Sequence, residues 1–141
     1  MGDFQQRVIE EFRANGGVVG GRFEGLRLLL LTTTGKLSGQ KRTNPAQAFS
    51  KDGQYYVIAA KHAHPTNPLW YDNLVAEPLV QVEIGNDGVI EDFAAAAEPV
   101  LQPERDALFA EFCVINPHFA EHQEKLDRVI PVVRLNARIA E

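Results

Sequence analysis

The sequence predicts a mainly β fold, a closed or nearly closed antiparallel barrel of about six strands with helices packed on its outside. Three observations carry that reading. Asp52-Gly53 and Asp87-Gly88 each adjoin short runs rich in β-branched and aromatic residues, and Asp-Gly favours the tight turns whose twist suits antiparallel hairpins. The run Arg27-Leu28-Leu29-Leu30-Leu31-Thr32-Thr33 is short, apolar and bounded by Gly25 and Gly35, the form of a buried strand. Strands and helices do not alternate as βαβ units and no G-x-G-x-x-G opens a helix, which argues against a doubly wound nucleotide-binding sheet.

The elements follow in order. Asp3 is placed to cap a helix carrying Phe4, Val8, Ile9 and Phe12 on one face and stopping at Asn15-Gly16-Gly17. After the leucine strand come the hairpin signal Lys51-Asp52-Gly53 before Gln54–Ala59 and the signal Asn86-Asp87-Gly88 after Val80–Ile84. An antiparallel meander is the economical topology. A short helix over Trp70–Val75 separates the hairpins, since Pro68 fits a first turn and Glu77-Pro78 ends one. Two more helices are expected over 103–112 and 117–127, then a last strand over Val129–Leu135.

At 141 residues, 45% hydrophobic and 23% charged, the chain fits one domain, residues 1–141, with a single core and no need of disulfides. Cys113 is the only cysteine and reads as a small buried hydrophobe. No secretory signal and no run long enough to span a bilayer is visible, so a cytoplasmic location is expected. The net charge is -5, yet Arg22, Arg27, Lys36, Lys41, Arg42, Lys51 and Lys61 face only Glu24 and Asp52 within residues 22–61. A basic segment in an acidic protein is a candidate site for a phosphate or carboxylate, while the acidic remainder disfavours nucleic acid. Scattered, solvated lysines are the competing reading.

Two segments carry chemistry. Thr32-Thr33-Thr34-Gly35-Lys36-Leu37-Ser38-Gly39-Gln40-Lys41-Arg42-Thr43-Asn44-Pro45 packs glycines, hydroxyls and cations into a turn between strands. Small residues let main-chain amides approach a ligand, and hydroxyls and Arg donate to phosphate oxygens. The spacing is not that of a P-loop, and an ordinary polar hairpin is the plainer alternative. His62-Ala63-His64-Pro65-Thr66-Asn67-Pro68-Leu69-Trp70-Tyr71-Asp72-Asn73-Leu74 sets the only tryptophan beside a tyrosine at a loop-to-helix junction, where an aromatic platform can meet a planar ring. On residue type alone, a core residue is the better reading of Trp70. His118 and His122 are four apart on a helix, but no third ligand accompanies them and no metal is expected.

These two segments, with Asn15-Gly16-Gly17 and Asp127-Arg128-Val129-Ile130-Pro131-Val132-Val133, are together similar to the deazaflavin-dependent nitroreductase family from about Asn15 to Leu135. The resemblance implies an FMN-binding-like split β-barrel that binds coenzyme F-420, an 8-hydroxy-5-deazaflavin whose tail carries a phosphodiester and glutamates. It places tail contacts on Lys36, Leu37, Ser38 and Arg42, continuing along Thr43, Asn44, Pro45, Ala46 and Gln47. The ring is placed against Ile58, Ala59, Ala60 and Lys61, with Leu69, Trp70, Tyr71, Asp72 and Asn73 closing the site. Leu37 stands where the family usually has a second cation. Asn116, Phe119 and His122 stand where well-known members have tyrosines over the acceptor pocket.

The implied reaction passes a hydride from the reduced coenzyme to an electron-poor acceptor, a quinone or a nitroaromatic compound, with His122 and Tyr71 as candidate proton donors. The alternatives are an FMN-binding oxidoreductase on the same barrel and a non-catalytic deazaflavin carrier.

Overall fold

The structure, a computed structural model, describes residues 2–60 and 65–138. Helix α1 spans Gly2–Ala14, followed by a 3-10 turn over Gly21–Phe23. Seven strands follow: β1 Leu28–Thr34, β2 Lys41–Gln47, β3 Phe49–Lys51, β4 Gln54–Ile58, β5 Leu79–Asn86, β6 Val89–Pro99 and β7 Val132–Ala137. Helix α2, Leu69–Ala76, lies between β4 and β5, and α3, Glu104–Ile115, and α4, His118–Glu124, lie between β6 and β7.

All pairings are antiparallel, in the order β2-β1-β5-β6-β7-β4-β3. Only β5-β6-β7 runs as the expected meander. β1 pairs with β5, and β4 pairs with β7, because a plain meander leaves the second edges of those strands open. β2 and β3 are the two ends of the order, yet only Ala48 separates them in the chain. They act as one bent strand that pairs with β1 on one side and β4 on the other, so the split barrel nearly closes. Counted that way, the strands are the six expected. Both hairpin signals hold: Asp52 and Asp87 take φ near 53° and Gly53 and Gly88 take 79° and 80°, the positive pair that a type I′ turn requires.

Alternation along the strands divides the core. Leu29 and Leu31 join Val57, Val82, Ile84 and Leu135 inside the barrel, capped by Leu74 of α2. Leu28 and Leu30 face outward under Val8, Ile9 and Phe12 of α1. A strand buried on both faces needs an unbroken apolar run, which explains the four leucines. On the other outer wall Tyr56, Ile58 and Val132 pack under Phe109 and Phe112 of α3, with Cys113 at the border.

Several expectations shift. The first helix starts at Gly2, ahead of the proposed Asp3 cap, whose side chain lies outside the described residues; Phe4 is largely exposed and packs against Phe23 instead of the core. Helix α3 runs to Ile115, past the expected 112, and α4 stops at Glu124. The last strand begins at Val132, not Val129, because Ile130 spends its main chain elsewhere. Its carbonyl accepts from the buried Arg105 guanidinium at 2.8 and 3.1 Å, and its amide donates to Gln123 Oε1 at 2.8 Å, leaving neither group for a ladder.

Candidate active site

The registers set which residues share an end of the barrel. Thr34, Ile58, Leu79, Pro99 and Val132 all lie at one rim. The 35–40 loop leaves β1 there, Ala59 and Ala60 leave β4 there, and α2 feeds into β5 there. The two chemistry-bearing segments, far apart in sequence, therefore meet on one rim.

The loop is closed on itself. Gly35 N–H donates to the Gln40 carbonyl at 2.7 Å, Gly39 N–H to the Gly35 carbonyl at 2.9 Å, and Gln40 N–H to Ser38 Oγ at 3.1 Å. A Cβ on Gly35 would stand 2.5 Å from Ser38 Oγ, so a side chain there would push the hydroxyl off the Gln40 amide. Lys36 N–H donates to Asn73 Oδ1 at 2.9 Å. The amides of Leu37 and Ser38 donate to no described residue, and successive open amides at a turn form an anion-binding concavity. Leu37 is 96% exposed. Lys36, Lys41 and Arg42 flank these amides and are exposed; Lys41 Nζ also donates to Thr34 Oγ1 at 2.9 Å.

β2 carries the remaining expected tail residues away from the loop. Thr43 Oγ1 pairs with Thr32 Oγ1 at 2.7 Å, and Asn44 Nδ2 donates to Gln5 Oε1 of α1 at 3.4 Å. Pro45 lies opposite Leu30, and Ala46 packs on the barrel interior. Gln47 sits at the far end, where it accepts from Asn116 Nδ2 at 2.7 Å. A ligand touching both Arg42 and Gln47 has to run along this strand.

Helix α2 closes the rim. Trp70 and Tyr71 are half-buried against the interior cluster, whereas Leu69 and Asp72 are exposed. Trp70 is thus both part of the packing and part of the rim. Burial, with Asp72 beside it, raises the Tyr71 phenol above its ordinary value, which keeps it protonated at neutral pH. Asn73 joins three elements: besides accepting from Lys36 N–H, its amide donates to Thr33 Oγ1 at 3.2 Å. Thr33 is fully buried.

Ile58, Ala59 and Ala60 are buried as whole residues, main chain included. Ala59 N–H donates to the Pro131 carbonyl at 3.0 Å. Lys61, His62 and His64 lie outside the described residues. Arg128, to which sequence reasoning gave no site role, grips this stretch. Its guanidinium donates to the Ala59 carbonyl at 3.3 Å, the Ala60 carbonyl at 2.9 Å and Asn67 Oδ1 at 2.6 Å. Burial lowers its pKa, but an arginine stays charged.

His122 lies on α4, half-buried, with its ring edge-on to Phe119 at 6.2 Å between centroids. Phe119 in turn packs against Phe49 on the outer wall. The two candidate proton donors therefore rest on different cores, Tyr71 on the interior and His122 on the α3–α4 side. Gln123, the next residue, reaches back to the rim, donating to the Arg128 carbonyl at 2.8 Å.

Fold and rim together define a split-barrel protein with an open-amide loop, flanking cations and an aromatic helix at one end. The comparisons agree on where this belongs. A family model described as F420H(2)-dependent quinone reductase matches residues 5–137. An F420H(2)-dependent quinone reductase of Mycobacterium tuberculosis is 33% identical over 133 residues, covering 90% of this chain and 85% of the relative, and a putative one of Mycobacterium bovis matches equally. The solved structure of an F420-H2 dependent reductase superposes with a TM-score of 0.69 at 34% identity, covering 77% of this chain and 93% of that one. A second, described as a domain-swapped dimer, gives 0.69 at 31% identity and covers 96% and 100%. The chain belongs to the F420H(2)-dependent quinone reductase family. It is an oxidoreductase, and its coenzyme is the deazaflavin F-420.

Proposed function

We propose that this chain reduces quinones, and nitroaromatic compounds as a second acceptor class, with the coenzyme tail at the 36–42 loop and the ring between Ala59-Ala60 and α2. The observation that carries the reading is the convergence on one rim of the open Leu37 and Ser38 amides, three cations and the half-buried Trp70 and Tyr71. When bound and reduced, the coenzyme supplies a hydride. The chain's own residues do the rest.

Lys36, Arg42 and the two amides hold the tail anion, with charge-assisted hydrogen bonds worth about 1.5–3 kcal/mol each. The stretch Ile58, Ala59 and Ala60 backs the ring, and Leu69, Trp70 and Tyr71 shield it from water. Reducing a quinone to a hydroquinone takes one hydride and one proton, so a donor is needed beside the acceptor. Tyr71 fits that role best, because it is protonated at neutral pH and packs at the rim. His122, on the α3–α4 side, is the second candidate.

The direct test follows the absorbance of reduced coenzyme mixed with this protein and a panel of quinones and nitro compounds. Protein-dependent oxidation with quinones is expected, and weaker oxidation with nitroaromatics. Tight coenzyme binding without acceptor-dependent oxidation would make the protein a carrier, and binding of flavin mononucleotide in preference would place another coenzyme on the barrel.

A further inference from the structure

The ring side of the rim is held by one side chain that comes from neither chemistry-bearing segment. Arg128 joins the exit of β4 to the segment before α2 by donating to Ala59 O, Ala60 O and Asn67 Oδ1. It is itself held from behind. Gln123 Nε2 donates to the Arg128 carbonyl, and Gln123 Oε1 accepts from Ile130 N–H at 2.8 Å and from Arg105 Nη2 at 2.9 Å. The Arg105 guanidinium is buried, lies 4.2 Å from the Phe109 ring centroid and also holds the Ile130 carbonyl. A continuous set of hydrogen bonds thus runs from α3 through α4 to the main chain at Ala59-Ala60.

We propose that Arg128 is a positioning residue for hydride transfer, fixing the Ala59-Ala60 main chain so that the coenzyme ring meets the acceptor at reacting distance. This rests on the reading that places the ring against Ala59 and Ala60. A planar fork of donors suits the task, since it can hold three oxygens in fixed directions, whereas a lysine ammonium is a point charge on a flexible stem. The tail is held by a different element, the 36–42 loop, so loss of Arg128 displaces the ring without releasing the coenzyme. Misplacement of reacting groups by about 1 Å costs on the order of a hundredfold in rate.

The experiment compares the full chain with Arg128→Ala and Arg128→Lys. It measures the coenzyme dissociation constant, the turnover of reduced coenzyme with a soluble quinone, and the effect on turnover of millimolar guanidinium. Arg128→Ala should lose about tenfold to a hundredfold in turnover, with its dissociation constant changed by less than about threefold. Added guanidinium should restore part of the loss, and Arg128→Lys should remain as slow as the alanine variant. Wild-type turnover in both variants overturns the proposal. So does a parallel loss of affinity and turnover that guanidinium does not relieve, which is what a purely structural arginine would give. If the alanine variant does not fold, Arg128→Lys decides alone: slow turnover at unchanged affinity supports the proposal, and wild-type turnover ends it. Failure of the underlying ring placement shows separately, as a coenzyme whose visible absorption band does not change on binding to the wild-type chain.

Discussion

At the scale of single residues, Leu37 and Tyr71 show how differently a site residue can act. Leu37 stands where the resemblance puts a second cation, and it is exposed with an open amide. Leu37→Lys adds a charge beside an intact cradle. Coenzyme binding should tighten by a few-fold at low salt, about 0.5–1 kcal/mol, and the gain should vanish near 1 M salt, where the screening length falls to about 3 Å. An unchanged constant at low salt would mean that position 37 faces away from the tail. Tyr71, as the proposed proton donor, would act through its side chain. Because burial raises its pKa, the donating form persists as pH rises and is lost only above the ordinary phenol value of about 10. Quinone turnover should therefore stay flat from about pH 7 to 9, and Tyr71→Phe should lower it by about tenfold or more at unchanged affinity. A decline centred near the ordinary imidazole value of about 6.5, abolished by His122→Phe, would assign the proton to α4 instead.

At the scale of elements, two junctions bear the most consequence. Asn73 ties the loop to α2 and gives the buried Thr33 hydroxyl its partner. Asn73→Ala should cost about 1–3 kcal/mol of stability in the absence of coenzyme, seen in urea unfolding, and should weaken coenzyme binding as the loop loosens. Full stability of the free variant would show that Asn73 serves the coenzyme alone. The second junction seats α1 on the β5–β6 hairpin. A Cβ on Gly16 would stand 2.2 Å from the Gly88 carbonyl oxygen, and one on Gly85 2.1 Å from the Gly16 carbonyl oxygen. Gly16 also holds φ at 64°. Gly16→Ala should thus destabilise by about 2 kcal/mol or more while leaving coenzyme affinity per folded molecule unchanged; a fully stable variant would contradict the close packing. The Asn15-Gly16-Gly17 motif, part of the family resemblance, is in this light a packing device remote from the rim.

At the scale of the whole molecule, what was legible in the sequence follows from what writes itself into local pattern. Asp52-Gly53 and Asp87-Gly88 declare their turns because so few residues accept positive φ, and the four leucines declare a strand buried on both faces. The bend at Ala48 and the pairing of β1 with β5 leave no such mark, because strand order is decided by barrel closure. Arg128 stayed hidden for a related reason: among the described residues, two of the acceptors it reaches are main-chain carbonyls, which any residue supplies. The late start of β7 is the same effect in reverse, since Arg105 and Gln123 divert Ile130 from the ladder. The open amides at Leu37 and Ser38 were suggested by the small residues around them, but only the closure of the loop shows which amides remain available.

The central claim is a division of labour on one rim, with the tail at the 36–42 loop and the ring at Ala59-Ala60. The most direct test measures dissociation constants of the complete coenzyme and of its ring-and-ribityl portion lacking the phosphodiester tail, for the wild-type chain and for Arg42→Ala. The account predicts that Arg42→Ala weakens the complete coenzyme by about 1.5–3 kcal/mol and leaves the tail-less portion unaffected. Equal losses for both ligands, or no loss for either, would contradict it.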